Sequence, residues 1–377
     1  MNNILYVAGA RSFYTKHPIK KMKGVMQGIK ENGNTVDFIG GGDITFNKKI
    51  STAAGGKGIT KIRKKNYFNI SVSEIIDTIH DFFLFFIVLK KMIFNSYDII
   101  LERSSRLHIS TLILSKLLGK YYILEWKDHI IDYDNSLFIK YAKFIEKIKI
   151  KFADKIIVES NVLKEEISQI TDGRKIQVAY NAVELPDISI ESIINKFSSN
   201  KKLRVVYAGG FTFYHNMELL VEVAQILSKK NILENVEFLI IGNGPCKQQL
   251  INNLSKHGLI DIYTFHDSMP FEQLKEYYLN SHIGILPGST DIICPIKVME
   301  YMGYGMIPLI PEYMCNKEII EDNVDGFLFK PFNALSFVES FELLLNNFEL
   351  SDIAISAHIK AKEKFTWLNT WGKSVEK

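Results

Sequence analysis

Cysteine is scarce in this chain, with three in 377 residues. Cys246, Cys294 and Cys315 make no disulfide framework, and none has the Cys-x-x-Cys or histidine spacing of a zinc site. That scarcity fits a reducing compartment. Long apolar runs are missing as well. The most apolar stretch, Phe82 to Leu89, stops at Lys90 and Lys91, far short of the roughly 20 residues a membrane span needs. No basic start or small-residue cleavage site precedes the strand signal at Ile4 to Val7, so no secretory leader is read and a cytoplasmic location is expected. Net charge is close to balance at +4, and no nucleic-acid partner is expected.

What is present belongs to a globular protein, with 47% hydrophobic and 23% charged residues. The length suggests two domains. Strand and helix signals alternate from the start, in the grammar of a doubly wound parallel sheet. Strands are predicted at Asn3–Ala8, Thr35–Ile39, Tyr97–Leu101, Tyr121–Trp126, Lys155–Val158 and Lys175–Ala179. The pattern restarts with strands at Arg204–Ala208, Val236–Ile241, Ile262–Phe265, Ile283–Leu286, Met306–Ile310 and Phe327–Phe329. The expected division is a first Rossmann-like domain at 1–183, a linker at 184–202, a second Rossmann-like domain at 203–360 and a tail at 361–377.

Two stretches depart from that rhythm. Gly40 to Asn66 holds seven cations (Lys48, Lys49, Lys57, Lys61, Arg63, Lys64 and Lys65) against one acid, Asp43. It reads either as a solvated loop or as a basic flap toward anionic lipid or a pyrophosphate, at about 1 kcal/mol per cation near a membrane. Ser73 to Phe94 reads as a helix whose phenylalanine-rich face (Phe82, Phe83, Phe85, Phe86) is expected in the core, a membrane-touching face being the alternative. Asn135 to Phe152 is an amphipathic, lysine-rich helix that suits either solvent or an anionic bilayer surface.

Chemistry is expected where strands end, because open α/β sheets bind ligands outside the carboxyl ends of their strands. In the first domain that end carries Asp128 and His129, the candidate catalytic pair there. In the second, Gly209-Gly210 follows the opening strand, and Gly244 sits in the next turn. Absent side chains at such points let backbone approach a diphosphate, although each is also an ordinary tight turn.

The most informative stretch is His282 to Pro311. A buried strand leads through a polar loop to Pro295, expected in the first turn of a helix that Gly303 and Gly305 end. Lys297 in that first turn opposes the helix dipole at a cost of a few tenths to about 1 kcal/mol. An anion at the helix start would reverse the sign. Glu300, three residues on, lies on the same face and could hold ribose hydroxyls while Lys297 holds phosphate. An exposed Lys–Glu pair of little worth is the alternative.

The run Cys-Pro-Ile-Lys-Val-Met-Glu-Tyr-Met-Gly-Tyr-Gly-Met-Ile-Pro closely resembles the donor-site signature of retaining glycosyltransferases of family 4. It is followed by a strand and a short helix ending in Asp325-Gly326. Glu102-Arg103-Ser-Ser and Leu-Glu125-x-x-Asp128 look like the matching strand ends of bacterial polysaccharide glycosyltransferases. The resemblance implies the GT-B fold, two Rossmann-like α/β domains facing across a cleft, with the tail crossing back to the first domain. It implies a hexosyltransferase-type reaction that moves a sugar from a nucleotide diphosphate sugar, with retention and without a metal or other cofactor. Lys297 would hold phosphate and Glu300 ribose. Gly209, Gly210, His215, Gly244, Pro295 and Ile296 would line the donor pocket, with the base near Asp267 and Met269. Gly9, Arg103 and Glu125 would lie on the acceptor side. The acceptor would be a glycan or a polyprenyl-diphosphate-linked sugar in surface polysaccharide assembly, with peripheral contact to an anionic membrane.

Two departures from the family pattern stand out. An Arg and a Lys common after the first strand of the second domain are Gly210 and His215 here, so a protonated His215 is the expected partial substitute. A carboxylate common eight residues before the ribose Glu is Ile292, with Asp291 adjacent. A nucleotide-sugar epimerase of the same fold and a non-catalytic nucleotide-sugar-binding scaffold are the other readings.

Overall fold

The computed structural model describes residues 1–10, 16–40, 67–127, 136–198, 202–230, 232–347 and 349–377, with backbone alone at 16–20, 67 and 69. Asp128, His129 and the basic stretch after Gly40 lie outside the described residues. The chain divides into two units. The first takes the described residues up to Tyr180 together with Trp367–Lys377, and the second takes Asn181–Thr366.

The first unit runs β1 (Asn3–Ala8), α1 (Lys16–Glu31), β2 (Thr35–Gly40), α2 (Tyr67–Phe94), β3 (Ile99–Arg103), α3 (Ser110–Leu117), β4 (Tyr121–Trp126), α4 (Ile139–Phe152), β5 (Lys155–Val158), α5 (Asn161–Ser168) and β6 (Ile176–Val178). Its six strands are all parallel, in the order β2-β1-β3-β4-β5-β6. The central strands are buried along nearly their whole length, as a sheet covered on both faces requires. Gly33, at a φ of 78°, ends α1 in the left-handed turn that glycine tolerates, and Asn34 N–H donates back to the Ile29 carbonyl.

The helices here are shorter or differently faced than the sequence predicts. α4 starts at Ile139 and not at Asn135, and α3 begins at Ser110, after Leu107 has taken a left-handed φ of 64°. The larger correction is α2. Its phenylalanine face does not enter the core: Phe82, Phe83 and Phe86 point outward, while Leu84, Val88 and Met92 turn in. The apolar residues wrap around the whole helix, so periodicity alone cannot choose which stripe packs.

Two glycines of α1 receive the end of the chain. A Cβ on Gly24 would lie 2.1 Å from the Trp367 ring, and one on Gly28 would lie 2.2 Å from the Trp367 carbonyl oxygen. They are four residues apart and so share one face of the helix. Trp371 is fully buried there, Asn32 Nδ2 donates to the Gly372 carbonyl (3.0 Å), and Gln177 Nε2 to Ser374 Oγ (3.1 Å).

The second unit runs α6 (Ile190–Ser198), β7 (Leu203–Ala208), α7 (Leu219–Leu227), β8 (Val236–Ile241), α8 (Lys247–Lys256), β9 (Tyr263–His266), α9 (Phe271–Leu279), β10 (Ile283–Ile285), α10 (Ile296–Gly303), β11 (Ile307–Pro311), α11 (Met314–Lys317), β12 (Phe327–Phe329), α12 (Ala334–Leu345) and α13 (Leu350–Lys364). Its strands are also all parallel, in the order β12-β11-β10-β7-β8-β9. α6, inside the stretch expected as linker, packs into this unit: Ile193 is buried, and a Cβ on Gly305 would meet its side chain at 2.7 Å. The strand order reverses between β7 and β10. That makes the carboxyl ends of β7 and β10 a topological switch point, the place where open α/β sheets bind ligands.

Gly28→Ala is expected to destabilise the first unit by about 1–3 kcal/mol or more, since the obstructing atom is backbone and has no rotamer to escape into. A lowered melting temperature, with faster proteolysis of the last ten or so residues, is the measurement; an unchanged melt would show that the tail is not held this closely.

Candidate active site at the switch point of the second sheet

The loops around β7, β8 and β9 are laced by backbone. Gly209 N–H donates to the Ile241 carbonyl (3.0 Å), Phe211 N–H to the Asn243 carbonyl (3.1 Å), and Cys246 N–H to the Phe211 carbonyl (3.0 Å). This lacing explains the glycines. A Cβ on Gly242 would sit 1.9 Å from the Gly209 oxygen, and one on Gly244 would sit 2.6 Å from the Phe211 backbone. Gly244 therefore keeps two loops together. Lys247 adds a clasp: its Nζ donates to the carbonyls of Gly242 (2.9 Å) and His266 (3.0 Å) and to Asp267 Oδ1 (2.7 Å). Asp267 is thus an anchor of the β9 loop, its carboxyl held below the usual range by that hydrogen bond. Met269 packs against the core formed by Val206, Leu239 and Tyr301.

Lys297 stands at the second position of α10. Pro295 is its N-cap and not a first-turn residue, and no side chain caps the helix. The Lys297 Nζ lies 4.5 Å from the centroid of the Tyr207 ring, 3.4 Å from Tyr207 Oη and 3.5 Å from His215 Nε2. It also fills the place a side chain at Gly209 would take, 2.3 Å from the position of a Cβ there. These neighbours are neutral. Tyr207 Oη donates to the Gly210 carbonyl (2.6 Å), so its lone pairs face the ammonium. His215 Nδ1 lies 3.2 Å from the Gly288 carbonyl, which makes it the protonated nitrogen and leaves the Nε2 lone pair toward Lys297.

A cationic His215 does not occur in this setting. Burial, and then the Lys297 charge, push its pKa down to about 3, so it cannot stand in for the missing cation. Burial likewise pulls the Lys297 amine down to about 7, against the smaller opposing pull of Glu300. Among the described ion pairs none involves Lys297. Glu300 is buried one turn further along and accepts from Tyr278 Oη at 3.3 Å. The exposed Lys–Glu pair is therefore not what forms.

The loop that delivers α10 is braced from below. Asn181 Nδ2 donates to the Cys294 carbonyl (3.0 Å), just before Pro295 and Ile296. Asn316 Nδ2 donates to the Pro311 carbonyl (2.8 Å) and reaches Ser289 Oγ at 3.3 Å. Asp291 is exposed and Ile292 half-buried on that loop. Sequence reasoning missed Tyr207, Gly242, Lys247 and Gly288. For Tyr207 the signal was an aromatic inside a strand at the switch point, facing the helix that follows β10. Gly288 had the position of a strand-end turn, and a Cβ there would meet Asn216 at 2.6 Å.

In the first unit the expected acceptor residues are not free to bind. Arg103 and Glu125 face each other in register on β3 and β4 and form a buried ion pair, with Tyr6 Oη donating to Glu125 Oε2 at 2.7 Å. Gly9 is packed under Leu84 and His108, where a Cβ would meet atoms at 2.5 and 2.9 Å.

Residues 189–360 match the family model of glycosyl transferases group 1. A Haemophilus influenzae protein described as an uncharacterized glycosyltransferase is 30% identical over 163 residues, 41% of this chain and 43% of that relative. An amylovoran biosynthesis glycosyltransferase of Erwinia amylovora is 27% identical over 34% of this chain and 32% of its own length. The chain thus spans less than half the length of these curated relatives. An Anabaena protein, HepE, solved with UDP and glucose, aligns over 100% of this chain and 98% of its own at a TM-score of 0.64 and 13% identity. The fold is accordingly the two-domain α/β GT-B architecture.

Removing Arg103 would strand a buried carboxylate, a loss of about 3–5 kcal/mol. Arg103→Ala is therefore expected to unfold or aggregate the first unit, and Arg103→Ala/Glu125→Ala to recover part of the loss. A folded Arg103→Ala protein with full stability would contradict the pairing.

Proposed function

We propose that the chain is a retaining glycosyltransferase of the hexosyltransferase type. Its donor is a nucleotide diphosphate sugar. Its acceptor is a glycan or a polyprenyl-diphosphate-linked sugar in bacterial surface polysaccharide assembly. The observation that carries this reading is the Lys297 amine, held at the switch point among neutral groups, beside a glycine strand end and an uncapped helix start. Such an arrangement suits one kind of ligand: an anion large enough to span the helix N-terminus and the Gly209-Gly210 turn.

The chemistry follows from charge. The bond between the anomeric carbon and the diphosphate oxygen breaks, and negative charge grows on the leaving diphosphate. Lys297 and the first N–H groups of α10 lie fixed where that charge develops, so they stabilise it without rearrangement. In this reading they suffice without a resident metal. The acceptor hydroxyl attacks the face from which the diphosphate departs and gives its proton to the departing diphosphate oxygen, which gives retention. Glu300 orients the ribose from one turn further on. The group 1 family match and the polysaccharide role named for the Erwinia relative support the reaction class. UDP in the Anabaena neighbour makes uridine diphosphate sugars the first donors to try.

A single cation, with His215 neutral, also favours a second reading: a nucleotide-sugar-binding protein that does not turn over. A thermal-shift screen across uridine, guanosine and other nucleotide sugars separates the cases, because a bound donor stabilises by mass action. The enzyme reading expects one donor to raise the melting temperature and release its nucleotide with added acceptor. Lys297→Met should lower donor affinity by about ten- to a hundredfold while leaving the ligand-free melt in place. No shift with any donor would defeat both readings.

The amine also sets a pH dependence. A diphosphate favours the charged form of Lys297, so binding takes up a proton wherever the free amine is neutral. Affinity should be flat below about 7 and fall above it, approaching tenfold per pH unit, because the free-state pKa is depressed to about 7. Calorimetry with a nucleotide sugar, whose pyrophosphate does not titrate in this range, reads the slope; the same curve for Lys297→Met should lose it.

A further inference from the structure

The side chains of α2 are distributed the wrong way round for a surface helix. Three of its ionisable groups, Glu74, His80 and Asp81, are buried, while Asp77 is half-buried and Lys90 and Lys91 near its end reach solvent. Glu74 pairs with Arg106 and accepts from Ser136 Oγ (2.8 Å). Asp81 accepts the N–H groups of Ile109 (3.0 Å) and Ser110 (3.1 Å) and the Ser110 hydroxyl (2.6 Å), capping the start of α3. His80 stacks on His108 with ring centroids 5.5 Å apart. The outward side carries Ile75, Ile76, Ile79, Phe82, Phe83 and Phe86, each more than two-fifths exposed. Three of those rings meet edge to face, Phe82 against Phe83 at 5.8 Å and against Phe86 at 5.2 Å, so they form one ridge. The six residues span about 17 Å of helix.

α4 belongs to the same helical layer. Lys149 of α4 pairs with Glu102 of β3, and its charge acts on the same His108 that stacks on α2. At its start, Leu137 N–H donates to Ser71 Oγ of α2 (3.1 Å). The outward face of α4 alternates cations and aromatics: Lys140, Tyr141, Phe144, Lys147 and Lys151. Its one carboxylate, Glu146, is buried. Helices of one layer turn their exposed faces to the same side, away from the sheet. Among the described residues of these two helices, that side is therefore an apolar ridge bordered by lysines, with Asp77 half-buried and Glu146 buried.

We propose that the outward faces of α2 and α4 form a docking surface for an anionic lipid bilayer. The charge selects this occupant. A second copy of the chain would bring lysine rows against lysine rows or against bare phenylalanine, whereas a bilayer of acidic lipids offers negative headgroups to the lysines and acyl chains to the ridge. No helix among the described residues is long and apolar enough to cross a membrane, so the contact is lateral. The inference deepens the preceding reading, whose polyprenyl-diphosphate-linked acceptor would lie in a membrane, and rests on it for its purpose, but not for its test.

Co-sedimentation of the full chain with phosphatidylcholine vesicles, with and without about 30% phosphatidylglycerol, provides that test. The expected result is binding to the anionic vesicles that weakens in high salt and is slight on the neutral ones. Phe82→Ser/Phe83→Ser/Phe86→Ser should lose about tenfold or more of it, and Lys140→Glu/Lys147→Glu should abolish the preference for anionic lipid. Donor-induced thermal shifts unchanged in both variants would show that the fold and the donor site survive. Lys297→Met should sediment like the unaltered chain, so a failed donor site leaves the vesicle readout intact. The proposal is overturned by no sedimentation with anionic vesicles, by equal sedimentation of the triple variant, or by a dimer in solution that the triple variant dissolves while vesicles bind neither protein.

Discussion

An ammonium group held without a carboxylate beside it is the constraint around which the second unit is built. Placing Lys297 at the start of α10 opposes the helix dipole, and burial discourages its charge. Neutral groups and the smaller pull of Glu300 relieve that tension only in part. Tyr207 contributes a ring face and a hydroxyl already committed to the Gly210 carbonyl, and His215 contributes a lone pair. Gly209 contributes only room. The lacing of the β7 and β8 loops and the Asn181 brace then serve one end, which is to keep that cation in place.

The first unit handles buried charge in the opposite way. Arg103 is neutralised by Glu125, Lys149 by Glu102, and Lys21 by Glu159, all near the carboxyl ends of parallel strands. Such pairs add little net stability but are costly to break. The two sheets share a grammar, yet one spends its strand ends on internal pairing and the other leaves a charge unanswered. That contrast is why the candidate chemistry concentrates at α10.

Much of this was legible before any coordinates. Alternating strand and helix signals located every strand to within about two residues, because parallel strands buried on both faces are short apolar runs between turn residues. The Pro-Ile-Lys-Val-Met-Glu run drew attention to α10 because a cation is out of place in a first helical turn, but those residues alone left an exposed Lys–Glu pair equally open, and the donor-site expectation came from the resemblance. The acceptor-side place of Arg103 and Glu125 came from the resemblance alone, and strand signals say nothing of their pairing. Only the register, which sets Arg103 opposite Glu125, shows that they answer each other. α2 was misread because a helix apolar on all sides has no periodicity to say which side packs, and Glu74, His80 and Asp81 proved to lie on the packed side.

The docking of residues 367–377 onto Gly24 and Gly28 has a consequence for how the chain comes into being. The N-terminal sheet emerges first during synthesis, but the piece that closes one face of its first helix is made last. Until Trp367 and Trp371 arrive, that glycine-lined strip of α1 lies bare while the whole second unit is translated. The usual order, in which the earlier domain is finished first, is therefore reversed here: the first unit is completed only by residues translated after the whole second unit.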